Sequence, residues 1–135
     1  MSKSPIHVAL VDDDVSVRKA LGRLLSASNF KIDTYSTARN FIKSLKLIVP
    51  QCVVADLQMP DLTGLDLQRH LARAKVKIPI IIITAYNEPG LRERCQSAGV
   101  SDLLLKPLDS VNLINAINFA VGLPAGEIED RPPCT

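Results

Sequence analysis

The sequence contains no tryptophan, and only three phenylalanines and two tyrosines occur among its 135 residues. A hydrophobic core must therefore be built mainly from aliphatic side chains. No charge of one sign dominates either, because 16 Lys and Arg stand against 14 Asp and Glu, for a net charge of +2. Since the basic residues are scattered along the chain, we expect no direct binding of nucleic acid.

Cysteine is also scarce, and long apolar runs are absent. Cys52, Cys95 and Cys134 are odd in number and lack metal-ligand spacing. Cys52 and Cys95 fall in apolar patterns, where cysteine serves as a small core residue. No apolar run approaches the roughly 18–20 residues of a membrane span, and the N-terminus does not resemble a signal peptide. We expect a cytoplasmic protein that makes no contact with a membrane.

The chain does contain a regular alternation of apolar runs and helical periodicity. Near-continuous apolar runs are typical of parallel strands that are covered on both faces. Strand and helix patterns alternate five times, which predicts an α/β fold with right-handed crossovers and three layers, an α/β/α sandwich. The apolar runs occupy residues 6–11, 52–55, 80–83 and 103–105, and a weaker one occupies residues 31–35.

Several element boundaries can be predicted from capping patterns. Thr63 and Asp66 have the spacing of a capping box at the start of the third helix. The fourth helix is expected from Glu88 to Ala98, with Gly99 as its C-terminal cap. We expect one domain over residues 1–121 and a flexible tail over residues 122–135, where the periodicity stops.

Polar residues follow the apolar runs at the points where the strands are expected to end. Asp12 and Asp13 follow the run at 6–11, and Asp56, Thr84 and Lys106 follow the other three strong runs. In an open parallel sheet, ligands bind beyond the carboxyl ends of the strands. The pattern therefore predicts three carboxylates, one hydroxyl and one ammonium at a single edge of the sheet.

This set of side chains suits a divalent cation and a phosphoryl group. Clustered carboxylates repel one another unless a cation lies among them, and a few carboxylates with water suit Mg2+. One aspartate can act as a nucleophile, because carboxylates form acyl phosphates. Lys106 can neutralise phosphoryl charge and Thr84 can donate a hydrogen bond to a phosphoryl oxygen. Each residue alone has an ordinary structural explanation, but their joint occurrence at successive strand ends favours a site.

On these residues the chain resembles a receiver domain of the two-component response regulators, from residue 6 to about 121. The resemblance implies a flavodoxin-like (βα)5 fold, as in the chemotaxis regulators, with a five-stranded parallel sheet of order 2-1-3-4-5. Segments 17–21 and 79–82 resemble the nitrogen-fixation regulator branch of the family. The motifs that carry the resemblance are Val11-Asp12-Asp13-Asp14, Asp56-Leu57-Gln58-Met59-Pro60 with Gly64, Thr84-Ala85, Ala98-Gly99 and Lys106-Pro107.

The resemblance implies a phosphorylation switch. Asp56 would accept a phosphoryl group from the phosphohistidine of a sensor histidine kinase or phosphotransfer protein, or from a small donor such as acetyl phosphate. The implied cofactor is Mg2+. Asp13 and Asp56 would ligate it through their carboxylates, Gln58 through its backbone carbonyl, and Asp12 largely through water.

The resemblance also implies how the phosphoryl group is held and what the reaction is. Thr84 and Lys106 would bind phosphoryl oxygens, and the Lys106–Pro107 bond would be cis, a conformer accessible mainly to X–Pro bonds. The chain would not be an enzyme for a metabolite, because it would catalyse only its own phosphorylation and dephosphorylation. Phosphorylation would switch its contacts with a partner or with a second copy of itself.

Three residues outside the motifs bear on this switch. Leu103 stands where the family usually has an aromatic residue that turns inward when the threonine engages phosphate. With Leu105 it makes the fifth strand strongly apolar. This pattern is compatible with an ordinary covered edge strand, or with a homodimer or partner surface across helix 4, strand 5 and helix 5. Tyr86 flanks the route of the hydrolytic water in this family, and its bulk predicts slow dephosphorylation.

Two other functions are compatible with parts of the pattern. Asp12 and Asp14 also satisfy the Asp-x-Asp motif of haloacid-dehalogenase-like phosphatases, in which Asp12 would be the nucleophile and Asp14 the acid and base. The chain lacks that family's late acidic pair and its cap domain. A passive interaction module of the same fold would bind no Mg2+, although its clustered carboxylates would then repel one another uncompensated.

Overall fold

The computed structural model describes residues 5–122 of the chain. Strands and helices alternate strictly, as the periodicity predicts. The strands are β1 (His7–Val11), β2 (Lys31–Tyr35), β3 (Cys52–Asp56), β4 (Ile80–Thr84) and β5 (Asp102–Leu105). The helices are α1 (Val15–Ala27), α2 (Ala38–Ser44), α3 (Gly64–Arg73), α4 (Leu91–Ala98) and α5 (Ser110–Ala120).

All five strands are parallel and lie in the order β2-β1-β3-β4-β5, which confirms the predicted fold class and strand order. The three central strands β1, β3 and β4 are buried along their whole length. Alternate residues of each strand face two separate apolar cores. The core on one face includes residues of α2, α3 and α4, and the core on the other includes residues of α1 and α5. The predicted three-layer sandwich is therefore confirmed.

Side-chain caps fix the starts of four helices. Asp14 caps α1, Thr37 caps α2 and Asp109 caps α5, each by accepting backbone N–H groups of the first helical turn. The predicted capping box is present at α3: Thr63 accepts from the N–H of Asp66, and Asp66 accepts from the N–H of Thr63.

The fourth helix starts later than the sequence predicts. It begins at Leu91 rather than Glu88, because its N-cap Gly90 adopts a left-handed conformation with φ of 79°. A residue with this backbone conformation cannot belong to a right-handed helix. Gly99 ends the helix as predicted, with φ of 89°. The predicted tail lies outside the described residues except for Gly122.

Two side-chain predictions have different outcomes. Cys52 and Cys95 are buried, and burial raises the pKa of the Cys52 thiol to about 12. Both cysteines therefore behave as core residues, as predicted. Leu103 fits the ordinary covered edge strand, and the prediction that it lies on a homodimer or partner surface is wrong. Its side chain packs into the core, and the residue is 3% exposed against 40% for Leu105.

No helix among residues 5–122 is both long enough and apolar enough to cross a membrane.

Candidate functional site

Strand register brings the predicted residues to one edge of the sheet. Val11 pairs with Ala55, so Asp12 and Asp56 are the next residues on two neighbouring strands. On the other side of β3, Asp56 itself pairs with Ile83. Thr84 therefore lies one position beyond that pair on β4. Thr84 in turn pairs with Leu105, the residue before Lys106. The parallel register alone thus accounts for the shared location of these side chains.

Three carboxylates meet at this edge. One carboxylate oxygen each from Asp12, Asp13 and Asp56 lies within 4.8 Å of the other two. Asp12 is fully buried and Asp56 is 8% exposed, whereas Asp13 is exposed to solvent. Burial raises the pKa of the Asp12 carboxyl, and the charges of Asp56 and Asp13 add to the shift. An N–H donated by Asp14 and the charge of Lys106 oppose the rise in this pKa.

Lys106 is the cation that the structure places against the carboxylates. Its Nζ lies 3.5 Å from Oδ2 of Asp56 and 3.6 Å from Oδ2 of Asp12. Its backbone N–H donates to the carbonyl oxygen of Thr84 at 2.8 Å, which fixes its position beside the end of β4. The Lys106–Pro107 peptide bond is cis, as the resemblance implies. One ammonium is thus shared by two of the three acids.

The donor set fits Mg2+. Every side chain in the cluster offers carboxylate oxygen, the ligand type that Mg2+ prefers, and the exposed Asp13 leaves the cluster open to water. Oδ2 of Asp12 is buried and accepts no hydrogen bond within residues 5–122, and its nearest charged partner is the Lys106 ammonium at 3.6 Å, so it retains capacity for a cation or its water. Gln58 lies next to the cluster, because its N–H faces Oδ1 of Asp56 at 3.4 Å. Asp12, Asp13 and Asp56 are therefore the residues that could hold a metal ion, and Gln58 is adjacent to them.

Thr84 is in the predicted place, but its hydroxyl has a local partner. The residue is 1% exposed, and its Oγ1 accepts the N–H of Tyr86 at 3.2 Å and faces the Tyr86 carbonyl at 3.4 Å. The side chain of Tyr86 itself is outside the core, since the residue is 60% exposed. The Thr84 hydroxyl would have to turn from the Tyr86 backbone to reach a phosphoryl oxygen.

Two further residues support the site without having been assigned a role from the sequence. Nη1 of Arg18 donates to the backbone carbonyl of Asp12 at 2.7 Å, and so holds the segment that bears two of the acids. Gly64 lies against the end of β3, where an added Cβ would come within 3.0 Å of the Asp56 carbonyl oxygen. Gly64 was signalled by its place in a family motif, whereas Arg18 belongs to the quoted segment 17–21 but had no predicted role.

Comparison with known proteins agrees with this geometry. The family model described as response regulator receiver domain matches residues 8–118. Nodulation protein W of Bradyrhizobium diazoefficiens is 34% identical over 110 residues, which make up 82% of this chain and 48% of that protein. Transcriptional regulatory protein FixJ of Rhizobium meliloti is 33% identical over 120 residues, or 89% of this chain and 58% of that protein. The crystal structure of FixJ-N aligns with a TM-score of 0.80 at 31% identity, over 90% of this chain and 95% of that one.

The lengths of these relatives bear on one expectation. The chain spans about half the length of the curated relatives it matches, 48% and 58% of the two named above. One of the two is named a transcriptional regulatory protein. The expectation that this chain's protein binds no nucleic acid therefore finds no support among its relatives.

Proposed function

The chain belongs to the response regulator receiver domain family, and from that premise we propose that it is a Mg2+-dependent phosphoryl acceptor whose acceptor residue is Asp56. The observation that carries the proposal is the meeting of three carboxylates within 4.8 Å, with the Lys106 ammonium beside two of them. The cluster supplies a carboxylate nucleophile and oxygen ligands for a divalent cation, and Lys106 supplies one positive charge for the phosphoryl oxygens. The donor would be the phosphohistidine of a sensor histidine kinase or a phosphotransfer protein.

The acceptor role falls to Asp56 because of its position in the cluster. Both Asp12 and Asp56 have an oxygen near the Lys106 ammonium, but Asp12 is fully buried whereas Asp56 is 8% exposed. Asp56 is also the residue that matches the acceptor in the motif of the family. An oxygen of the Asp56 carboxylate would bond to phosphorus while the phosphorus–nitrogen bond of the donor breaks, and the imidazole would leave with the electron pair. Hydrolysis would later release inorganic phosphate and restore the carboxylate. Both steps act on the chain itself, so we propose no metabolite substrate.

Charge compensation divides among the remaining residues. Asp12, Asp13, Asp56 and the Gln58 carbonyl would hold Mg2+, which when bound supplies positive charge for the phosphoryl oxygens. Lys106 would move its charge from the carboxylates to a phosphoryl oxygen, as a compact cation on a flexible stem can do. The Thr84 hydroxyl would donate to another phosphoryl oxygen in place of its contact with Tyr86.

The phosphatase alternative is disfavoured by the places of its two acids. Asp14, its required acid and base, is the N-cap of α1 and accepts the N–H groups of Ser16 at 2.8 Å and Val17 at 3.3 Å. Asp12, its required nucleophile, is fully buried. A nucleophile without access to substrate and an acid engaged in capping do not suit that mechanism.

Treatment with acetyl phosphate and Mg2+, followed by intact-mass spectrometry, tests the acceptor assignment. We expect one added phosphoryl group in the wild type and in Asp14→Asn, and none in Asp56→Asn. Phosphorylation that persists in Asp56→Asn would contradict the assignment. Melting with and without Mg2+ separates the receiver from a passive module, because only a folded state that binds the ion gains stability from it.

A contact with a second copy is proposed only for the exposed part of the predicted surface. Leu105 is 40% exposed at the end of β5 and Val111 is 61% exposed on the first turn of α5, whereas Leu103 is buried. We propose that these two side chains take part in a contact that phosphorylation strengthens. Sedimentation with and without beryllofluoride should show association in the wild type that Leu105→Ser weakens.

A further inference from the structure

Asp61 links two parts of the chain that no sequence pattern connects. It belongs to the β3–α3 loop, residues 57–63, which follows the acceptor strand. Its Oδ2 accepts the backbone N–H of Arg39 at 2.9 Å, and its Oδ1 accepts that of Ala38 at 3.4 Å. Both donors are in the first turn of α2, more than 20 residues earlier in the chain. The side chain of Asp61 is only 15% exposed.

The link completes the N-terminus of α2. A helix begins with N–H groups that have no partner within the helix. Thr37 accepts the N–H of Asn40 through its hydroxyl at 3.0 Å. Asp61 accepts two others, from Ala38 and Arg39. Because Ala38 and Phe41 are fully buried in the core, α2 is a fixed point to which Asp61 attaches the loop.

The other end of the link is the predicted metal site. Gln58, whose carbonyl would ligate Mg2+, lies three residues before Asp61. The ends of the loop are joined by the Gly64 N–H, which donates to the Leu57 carbonyl at 3.0 Å. Burial raises the pKa of Asp61. Hydrogen bonds from the N–H groups of Arg39, Leu62 and Ala38 together lower this pKa by more than burial raises it, so the pKa lies below its usual range. A charged acceptor suits a strong link, because hydrogen bonds to ions are stronger than neutral ones.

We propose that Asp61 is a positioning residue for the metal site, which holds the β3–α3 loop against α2 so that the Gln58 carbonyl is set for Mg2+ before the ion arrives. This inference rests on the proposed function, because it concerns the ligand set of the same site. Residues that orient metal ligands through hydrogen bonds commonly change metal affinity when they are substituted, although they do not touch the ion.

The test measures Mg2+ affinity from the dependence of melting temperature on Mg2+ concentration. Asp61→Asn is expected to weaken Mg2+ binding about tenfold. Thr37→Ala is the matched control, since it removes a cap from the same helix end without touching the loop. It should lower stability and leave the Mg2+ dissociation constant unchanged. Equal weakening in both variants would overturn the proposal, because the effect would then come from α2 alone.

A second measurement uses the protein without metal. Hydrogen exchange of amides in residues 57–63 is expected to be faster in Asp61→Asn than in Thr37→Ala, because only the former releases the loop. Unchanged exchange together with unchanged Mg2+ affinity in Asp61→Asn would overturn the positioning role and leave the proposed function intact. A wild type that neither binds Mg2+ nor accepts phosphate would instead overturn the proposed function.

Discussion

Two neighbouring loops at the same edge of the sheet are held in very different ways. The β3–α3 loop, residues 57–63, follows β3 and is fixed at several points. Leu57 is buried and its N–H donates to the Ile83 carbonyl at 2.8 Å, Asp61 is bonded to α2, and Thr63 begins a capping box. The backbone that follows Asp56 and includes Gln58, two of the residues proposed to bind Mg2+, is therefore held at several points.

The β4–α4 loop, residues 85–90, has few such contacts. All six of its residues are exposed. Its contacts with neighbouring elements include that of the Thr84 hydroxyl with the Tyr86 backbone, an exposed Glu88–Arg94 ion pair at 3.5 Å, and backbone hydrogen bonds into the start of α4. The N-cap Gly90 provides no side-chain hydrogen bond. Segments with few buried contacts and exposed hydrogen bonds open at low free-energy cost. The β4–α4 loop, which follows Thr84 and would respond to phosphorylation, is thus expected to change conformation more easily than the β3–α3 loop.

The largest expected effect on stability comes from Gly64→Ala, at the residue that follows the β3–α3 loop. In Gly64→Ala the new Cβ would lie 3.0 Å from the Asp56 carbonyl oxygen and 3.3 Å from Cγ1 of Ile82. Since the first contact is with backbone, we expect a loss of about 1–3 kcal/mol in the free energy of unfolding, measured by urea denaturation.

Gly22→Ala is the control for this substitution. It lies within α1, and its added Cβ would meet no atom within 4 Å. A gain of about 0.5–1 kcal/mol is expected from helix propensity alone. A Gly64→Ala variant as stable as the wild type would show that the end of β3 is not tightly packed.

The two loops also differ in how far the sequence could predict them. Strand ends were predictable because apolar runs stop sharply at Asp12 and Asp56, and parallel register then places them together. The capping box at Thr63 was predictable because its two partners are three residues apart. The start of α4 was missed because an acid at position 88 favours a helix start, while the conformation of Gly90 is set by the turn.

The link made by Asp61 could not have been predicted in the same way. Its partners lie 22 and 23 residues away on another element, so no local spacing signals the contact. The sequence could not decide whether Leu103 is buried, for a related reason. A run of three leucines does not say which side chain of an edge strand faces the core. Both failures concern tertiary contacts between elements that were themselves predicted correctly.

Amide hydrogen exchange compares the loops directly and should give the next largest effect. The Leu57 amide donates to the neighbouring strand at 2.8 Å, whereas the Tyr86 amide donates to the Thr84 hydroxyl two residues earlier at 3.2 Å. We expect exchange to be at least about tenfold slower at Leu57 after correction for intrinsic rates. Similar protection at the two amides would contradict the proposed difference in conformational stability between the β3–α3 and β4–α4 loops.

The buried carboxyl of Asp12 predicts that the stability of the metal-free protein depends on pH. The pKa of Asp12 is raised, chiefly by burial, above its unfolded value of about 3.9. Between those two pKa values the folded state binds more protons than the unfolded state, so Asp12 makes stability fall as pH rises. In EDTA, Asp12→Asn is therefore expected to be more stable than the wild type above this window.

The quantity to measure is the difference in free energy of unfolding between Asp12→Asn and the wild type, obtained by urea denaturation at several pH values. It should grow as pH rises through the pKa of folded Asp12 and then stay constant. Added Mg2+ should stabilise the wild type and have less effect on the variant. A constant difference at all pH values would contradict the role assigned to the Asp12 charge.

The smallest expected effect on stability comes from Tyr86→Ala, in the β4–α4 loop. Its side chain is 60% exposed, so Tyr86→Ala should change stability by less than about 0.5 kcal/mol. Its backbone contacts with Thr84 do not depend on the side chain. If the ring shields phosphorylated Asp56 from water, its removal should shorten the lifetime of the phosphorylated state severalfold, followed by intact mass after removal of acetyl phosphate. Tyr86→Phe keeps the ring and should retain the wild-type lifetime, whereas an unchanged lifetime in Tyr86→Ala would mean that this exposed loop does not control access of water.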